Sequence, residues 1–331
     1  MILGVESSCD DTGLAIWEAG QFIYEQTSSQ IDLHALYGGV VPQLAAREHL
    51  RNFPILLKDL QKQVDLQRIK QIAVTCGPGL PGSLALGIAF AWSLRLALGC
   101  ELVGVHHLRG HILSPFIEHP NFRKQNNLFP HLSLLVSGGN TILSSVDETL
   151  SIRVLATTID DAAGEAIDKG AKLLGLRYPG GPEIEQYAQQ GDARKYIFPQ
   201  AFTQDGEWKF SFSGIKTSLR YRLAALTEAE LKEQFRDICA GYQRAIIDVL
   251  VKKLHQALQH DHFGSIGLSG GVANNRLLRE RVQELGAAMY LPVFLPKPKY
   301  TGDNASMIAF AAAIDPVHTT DTIDFKPNWP L

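Results

Sequence analysis

The stretch Ile72–Leu98, IAVTCGPGLPGSLALGIAFAWSLRLAL, decides the fold. Its run Ile72–Thr75 reads as a buried strand, CGPGLPGS as a glycine-rich turn, and Leu84–Leu98 as a long apolar helix. The most apolar window, Ser83–Leu94, ends at Arg95. It is shorter than the roughly 20 residues that cross a bilayer, so a buried core helix is expected and no membrane partner. A second unit of the same plan lies in SIGLSGGVANNRLLRERVQEL: a strand over Ser265–Leu268, a Ser-Gly-Gly turn, and a helix over Val272–Leu285. Upstream of each unit the apolar runs are short and separated by turn residues. Ile2–Glu6, Leu14–Trp17 and Phe22–Tyr24 form one three-strand meander, and His131–Val136, Ile142–Val146 and Ile152–Ala156 form another. Helical pattern covers Val41–Leu60 and Asp161–Leu174, and Leu102–Val105 adds a strand. The pattern is that of a duplicated α/β fold. By analogy with other duplicated folds, the ligand is expected in the cleft between the halves.

At about 150 residues per domain, 331 residues suggest two domains. The polar, proline-bounded PNFRKQNNLFP (120–130) marks the boundary, giving domains at 1–125 and 126–331. A charged, helix-rich insert is expected at about 185–260, and the last helix is expected to pack back toward the first lobe. A composition of 45% hydrophobic and 20% charged residues is that of a globular chain and excludes disorder, collagen and coiled coil. The net charge of -3 excludes a basic wrapper of nucleic acid, so a nucleic-acid partner needs a local patch. Four scattered cysteines without a CxxC pair, and an acidic MILGVESSCDD start, point to a reduced, cytoplasmic protein.

Five features carry chemistry. Ser137-Gly138-Gly139, Gly180-Gly181 and Gly270-Gly271 end apolar runs, where glycine lets backbone N–H groups approach a phosphate; the alternative is a plain tight turn. No GxxxxGK[ST] sequence is present, which excludes a P-loop. His107 and His111, at i and i+4, can turn both imidazoles to one metal, or are two surface histidines. Leu108 stands where an HExxH protease has its glutamate, which excludes that chemistry. Glu6, Asp10 and Asp11 can bind a cation or accept a proton, or are turn residues. Asp303 reads first as the N-cap of the helix from Ala305, or as the carboxylate of a two-His, one-carboxylate site. Arg220 with Arg222, the trio Arg276, Arg279 and Arg281, and Lys297 with Lys299 are basic spots, either solvated faces or contacts to a polyanion.

In chain order, GVESSCDDTG, YGGVVPQLAAREH, GPGLPGSL, HHLRGH, LLVSGG, DDAAGEAIDKGAKLLGLRYPGGP, FSFSGIKT, GGVANNRLL and TGDNASMIA together resemble the TsaD family, from about residue 2 to the terminal PNWPL. The resemblance implies a duplicated actin/sugar-kinase-like (ASKHA) fold, two lobes each with a mixed sheet flanked by helices. It implies transfer of the threonylcarbamoyl group of threonylcarbamoyl-AMP to N6 of the adenosine 3′ of the anticodon, in tRNAs reading codons that begin with A. One divalent metal per subunit, Fe2+ or Zn2+, is implied at His107, His111 and Asp303. Adenylate-binding positions are implied at Leu135, Val136, Ser137, Gly138, Gly139, Asp168, Gly181 and Asn275. A TsaB-like paralogue and a TsaE-like ATPase are the implied partners. Asp10 and Asp11 are the candidate proton acceptors for the weakly basic amine. A phosphotransferase or ATPase on the same fold, and a non-enzymatic nucleotide scaffold, are the competing readings; the paired histidines oppose the first and the intact metal positions the second. The chain departs from the family pattern at Asp11 (usually Glu), at Arg109 (commonly acidic) and at Asn140 (usually His). Arg109 is expected to add positive charge beside the histidines, favouring a polyanionic substrate.

Overall fold

In the first meander, β1 (Ile2–Glu6), β2 (Asp11–Glu18) and β3 (Gln21–Ser29) pair antiparallel, with Glu6 opposite Gly13 and Asp11 opposite Ser29. The short helix α1 (Ile31–Ala35) and the long α2 (Pro42–Gln63) follow. Then β4 (Gln71–Gly77), α3 (Pro81–Leu98), β5 (Glu101–His106) and α4 (His107–Leu113) complete the first half. These assignments come from a computed structural model, which describes residues 1–119, 121–125, 127–315, 317 and 323–331. Pro120 and Asn126 of the expected boundary stretch lie outside the described residues.

β4 and β5 join the meander in parallel, giving the order β3-β2-β1-β4-β5. Because side chains alternate along a strand, Leu3 and Val5 of β1 point to one face and pack with Phe53, Leu56 and Leu60 of α2 and Ile88 and Ala91 of α3. α3 starts with proline at its first turn and stops at Gly99, whose φ of 66° is left-handed. It has the length and apolarity of a membrane span by composition alone. Its Leu84, Ile88, Ala91 and Leu94 recur at helical spacing and are buried within the protein, as a core helix requires.

The second meander is β6 (His131–Val136), β7 (Thr141–Val146) and β8 (Ile152–Thr158). After it come α5 (Ala163–Leu173), α6 (Gly180–Ala188), β9 (Lys209–Phe210), α7 (Ser213–Ala224), α8 (Glu228–His260), β10 (Ser265–Ser269), α9 (Arg276–Ala288) and β11 (Val293–Phe294). Their sheet has the order β11-β10-β6-β7-β8-β9, with β10 parallel to β6 as β4 is to β1. Each half is thus a mixed sheet built on the same plan. The last helix is α10 (Ala305–Ile314).

The chain forms two compact units: Met1–Phe122 with Pro296–Leu331, and Arg123–Leu295. A single cut at 125/126 differs from this division in two respects: the break falls at 122/123, and 296–331 groups with the first unit. The cause is packing. A Cβ on Gly4 would stand 2.3 Å from the Ala305 carbonyl oxygen, and one on Gly13 2.9 Å from the Ala305 nitrogen. Two glycines on β1 and β2 therefore let the start of α10 rest directly on the sheet. The stretch 185–260, expected as an insert, is not peripheral. β9 extends the sheet beside β8, and α8 buries Ile238, Tyr242, Ile246 and Leu250 in the core of the second unit. Thr227 and Glu230 form a capping box at its start. Charged residues on its outer face hide that core stripe from a reading of composition.

Candidate metal centre and glycine turns

β5 runs straight into α4, so His107 and His111 sit on the first turn and a half of a helix whose seven residues are all buried. They are not surface histidines. Their rings stand perpendicular, 4.7 Å between centroids. The Asp303 Oδ1 lies 2.9 Å from His111 Nε2 and 3.5 Å from His107 Nε2. Asp303 is not the N-cap of α10, contrary to the first reading of the sequence. Asn304 takes that place, its Oδ1 accepting from the Met307 N–H at 2.9 Å, and this leaves the Asp303 carboxylate to face the histidines.

The donor set fits a metal ion. One ligand atom from each of His107, His111 and Asp303 lies within 4.8 Å of the others. Ligands at about 2.0–2.2 Å from a first-row ion lie roughly 3–3.5 Å apart, the spacing of the Asp303 pairs. Two imidazoles and one carboxylate leave coordination positions open. The other nitrogen of His107 is already committed. Glu6, with no solvent exposure, accepts from the Ser8 N–H at 2.5 Å, the Thr75 hydroxyl at 2.6 Å and His107 Nδ1 at 3.2 Å. With its proton on Nδ1, His107 turns a bare Nε2 toward Asp303, the carboxylate–histidine arrangement that orients a metal ligand. His111 Nδ1 is buried and makes no hydrogen bond among the described residues.

The electrostatics point the same way. Burial opposes charge on His107, but Asp303 and Glu6 outweigh it and push the imidazole up to about 9. Burial likewise opposes charge on Asp303, and His107 and His111 outweigh it, holding the carboxyl at about 2. A fully buried carboxylate, Glu6, and a half-buried one, Asp303, thus demand a cation between them, and without an ion a proton on His107 supplies it. A divalent ion would take that charge and displace the proton.

Arg109, expected to offer free positive charge, is instead buried in a two-pronged pair with Asp315, at 2.5 Å and 2.7 Å. It braces α4, which carries the histidines, against the end of α10, which Asp303 precedes.

Asp10 ends the β1–β2 turn and Asp11 opens β2. Burial and then the Asp303 charge raise both carboxyls, Asp11 to about 7. Asp11 Oδ1 is buried and makes no hydrogen bond among the described residues, while the Ser29 side chain bonds the carboxyl and partly offsets the rise. The turn is held by His49 of α2, whose Nε2–H donates to the Cys9 carbonyl at 3.0 Å while Nδ1 accepts from the Thr12 hydroxyl at 2.7 Å. Burial and the neighbouring Asp10 push the Cys9 thiol far up, so no thiolate nucleophile is available there.

The remaining predicted positions lie in the second unit. Leu135 and Val136 end β6 and are buried. In the following turn Ser137 N donates to the Asn140 carbonyl at 2.8 Å, and Ser137 Oγ accepts from the Asn140 N–H at 3.1 Å. A Cβ on Gly138 or Gly139 would meet nothing within 4 Å, so the turn is open to an approaching group. The Asp168 Oδ1 accepts from the Gly180 N–H at 2.7 Å, and the Gly181 N–H also bonds this carboxylate. Asp168 therefore holds the α6 start that carries Gly181. Asn275 caps α9, its Oδ1 accepting from Leu278 N–H at 3.1 Å, while its amide donates to Gln243 Oε1 at 3.0 Å. The sequence reading missed the orienting role of Glu6, the buried His49 and the Arg109–Asp315 brace. The spacing of Glu6 to Ser8 in the motif is visible, but its partner His107 stands 101 residues away.

Comparison with known proteins agrees with this architecture. The family model described as TsaD, tRNA N6-adenosine threonylcarbamoyltransferase, matches residues 21–310. A protein of that name from Thermosipho africanus is 42% identical over 313 residues, covering 94% of this chain and 93% of its own. Another from Paracidovorax citrulli is 42% identical over 345 residues, covering 100% and 97%. Among solved structures, HypF of T. kodakarensis has a TM-score of 0.58 at 16% identity, over 94% of this chain and 46% of that one. Component A of the Acidaminococcus fermentans (R)-2-hydroxyglutaryl-CoA dehydratase has 0.54 at 13%, over 94% and 98%. These two show the fold alone, the duplicated actin/sugar-kinase-like plan described above. By the family match and the full-length identities, the chain belongs to the TsaD family and is a transferase that forms N6-threonylcarbamoyladenosine in tRNA.

Proposed function

We propose that the threonylcarbamoyl donor is threonylcarbamoyl-AMP, that the acceptor is the adenosine 3′ of the anticodon in tRNAs reading codons that begin with A, and that AMP is the leaving group. The observation that carries the proposal is the convergence of His107, His111 and Asp303, with Glu6 behind His107. These three residues would hold one divalent ion, Fe2+ or Zn2+. When bound, such an ion supplies Lewis-acid stabilisation of negative charge on phosphate or carbamoyl oxygens.

The chain's own groups do the rest. The open turn at Ser137, Gly138 and Gly139, after Leu135 and Val136, would receive the adenylate. Bare glycine backbone suits an anion. Asp168 and Asn275 would act mainly by fixing the α6 and α9 starts, since their oxygens are engaged there, with Gly181 offering backbone to the nucleotide. Asp11, with its carboxyl near 7 and one buried oxygen without a hydrogen bond among the described residues, suits a group that takes a proton from N6, and Asp10 beside it shares that environment. Asp11→Ala with full turnover, and with metal and adenylate still bound, would remove Asp11 from this role.

A TsaB-like paralogue and a TsaE-like ATPase are the proposed partners, in the cytoplasm. The test is a reconstituted mixture of the protein, these partners, tRNA and threonylcarbamoyl-AMP, with nucleosides read by mass spectrometry. N6-threonylcarbamoyladenosine and AMP in equal amounts are expected. Absence of product, with partners proven active beside a standard family member, would sink the proposal.

A further inference from the structure

In the second unit, α5 and α7 pack side by side and leave a hollow of about 550 Å³ lined by Lys169, Lys172, Leu173, Lys216, Thr217 and Arg220. Among the described residues no carboxylate lines it. The cations fall at i,i+3 on α5 and i,i+4 on α7, so each pair shares one helix face. Like charges at that spacing destabilise a helix unless an anion covers them. Asp161 ties down Lys169 at 2.6 Å and Lys216 at 2.5 Å, and Glu165 takes Lys169 at 2.8 Å. Lys172 and Arg220 are exposed and have no carboxylate partner among the described residues, although Arg220 lies 5.4 Å from the Tyr221 ring.

The other basic spots of the sequence differ. Arg222 donates to the Ile197 carbonyl at 2.7 Å, Arg276 pairs with Glu280, Arg281 with Asp248, Lys297 with Glu118 and Lys299 with Glu25. At about 550 Å³ the hollow is far larger than one small anion fills. Its one apolar side chain, Leu173, offers no aromatic face on which a base could stack. A strand of phosphodiester matches both the size and the charge. With a net charge of -3 over the whole chain, contact with a polyanion has to be local.

We infer that the hollow between α5 and α7 docks the sugar-phosphate backbone of the tRNA substrate, with Lys172 and Arg220 each neutralising a phosphate. The inference rests on the tRNA-modifying activity of the family. It is tested by titrating fluorescently labelled tRNA with the full-length protein across a salt series, from about 50 to about 200 mM, where counterion release sets the slope. The variants are K172A/R220A, the charge-keeping K172R/R220K, and K58A/K70A, which removes two exposed lysines of the first unit. Transfer by wild type is measured on the same preparation.

The expected result for K172A/R220A is a log Kd against log salt slope shallower by about 1.4–1.8, at 0.7–0.9 per phosphate, with affinity at least about tenfold lower. K172R/R220K should keep the wild-type slope, and K172A/R220A should melt no lower than wild type. An unchanged slope for K172A/R220A, or an equal loss for K58A/K70A, overturns the inference and leaves the transferase reading intact. So does loss of a protein partner with the tRNA slope unchanged. Wild type that neither binds nor modifies tRNA would overturn the reading itself.

Discussion

Glu6 has no contact with solvent, yet its carboxyl is held below the usual carboxylate range, because the charge and hydrogen bond of His107 outweigh the cost of burial. An amide in its place would keep the shape and lose the charge that fixes the Nδ1–H tautomer of His107. Glu6→Gln should bind Zn2+ about 10–100-fold more weakly than wild type, the usual cost of removing the partner behind a metal-bound histidine. Calorimetric titration of the apo-protein measures it; equal affinity would show that Glu6 does not orient the ring. A second residue-scale prediction concerns His131. Its Nδ1–H donates at 2.7 Å to Ser265 Oγ, whose own proton goes to the Leu128 carbonyl at 2.7 Å, and burial pushes the imidazole down to about 3. Above pH 6.5 the ring is neutral folded and unfolded, and contributes no pH dependence. Below it the unfolded chain takes a proton that the folded one refuses until about pH 3, so stability falls as pH falls across that window. The stability advantage of wild type over His131→Asn should therefore shrink by about 1.4 kcal/mol per pH unit below 6.5 in denaturant unfolding. A constant advantage from pH 7.5 to pH 5.5 would contradict it.

At the scale of elements, the candidate centre depends on how closely α10 lies on the first sheet. Gly4→Ala would drive a methyl group against the Ala305 backbone and lift the segment that holds Asp303. It should destabilise the protein by about 1–3 kcal/mol and weaken Zn2+ binding together. Asn304→Ala should cost about 1 kcal/mol by loss of the cap, with a smaller effect on the metal. If Gly4→Ala lowers the melting temperature without touching metal affinity, the sheet does not position Asp303. The meander strands and α3 were legible because period-two and period-3.6 patterns are local. His131–Val136 was read to the residue. The start of α9 was set four residues early, because Gly271–Asn274 turns as a 3-10 segment before the Asn275 cap. The depth of α8 was hidden by its charged face. Asp303 and Asn304 both suit a cap, and only the contact of Asn304 with Met307 separates them. Arg109 was misread because its partner Asp315 lies 206 residues away in sequence.

Over the whole molecule, repetition made the fold readable, since two halves of one plan imply two similar sheets. The candidate site was readable only in pieces. Spacing proposes the histidine pair but says nothing of the carboxylates that close on it from β1 and from the segment before α10. If those residues hold an ion that the transfer reaction requires, metal and activity must be lost together. The most direct test measures metal content and threonylcarbamoyl transfer on the same preparations of wild type and His111→Ala, each reconstituted with partners, tRNA and threonylcarbamoyl-AMP. Wild type should carry close to one divalent ion per chain and yield modified adenosine, and a folded His111→Ala should do neither. Modified adenosine from a metal-free His111→Ala would contradict that requirement.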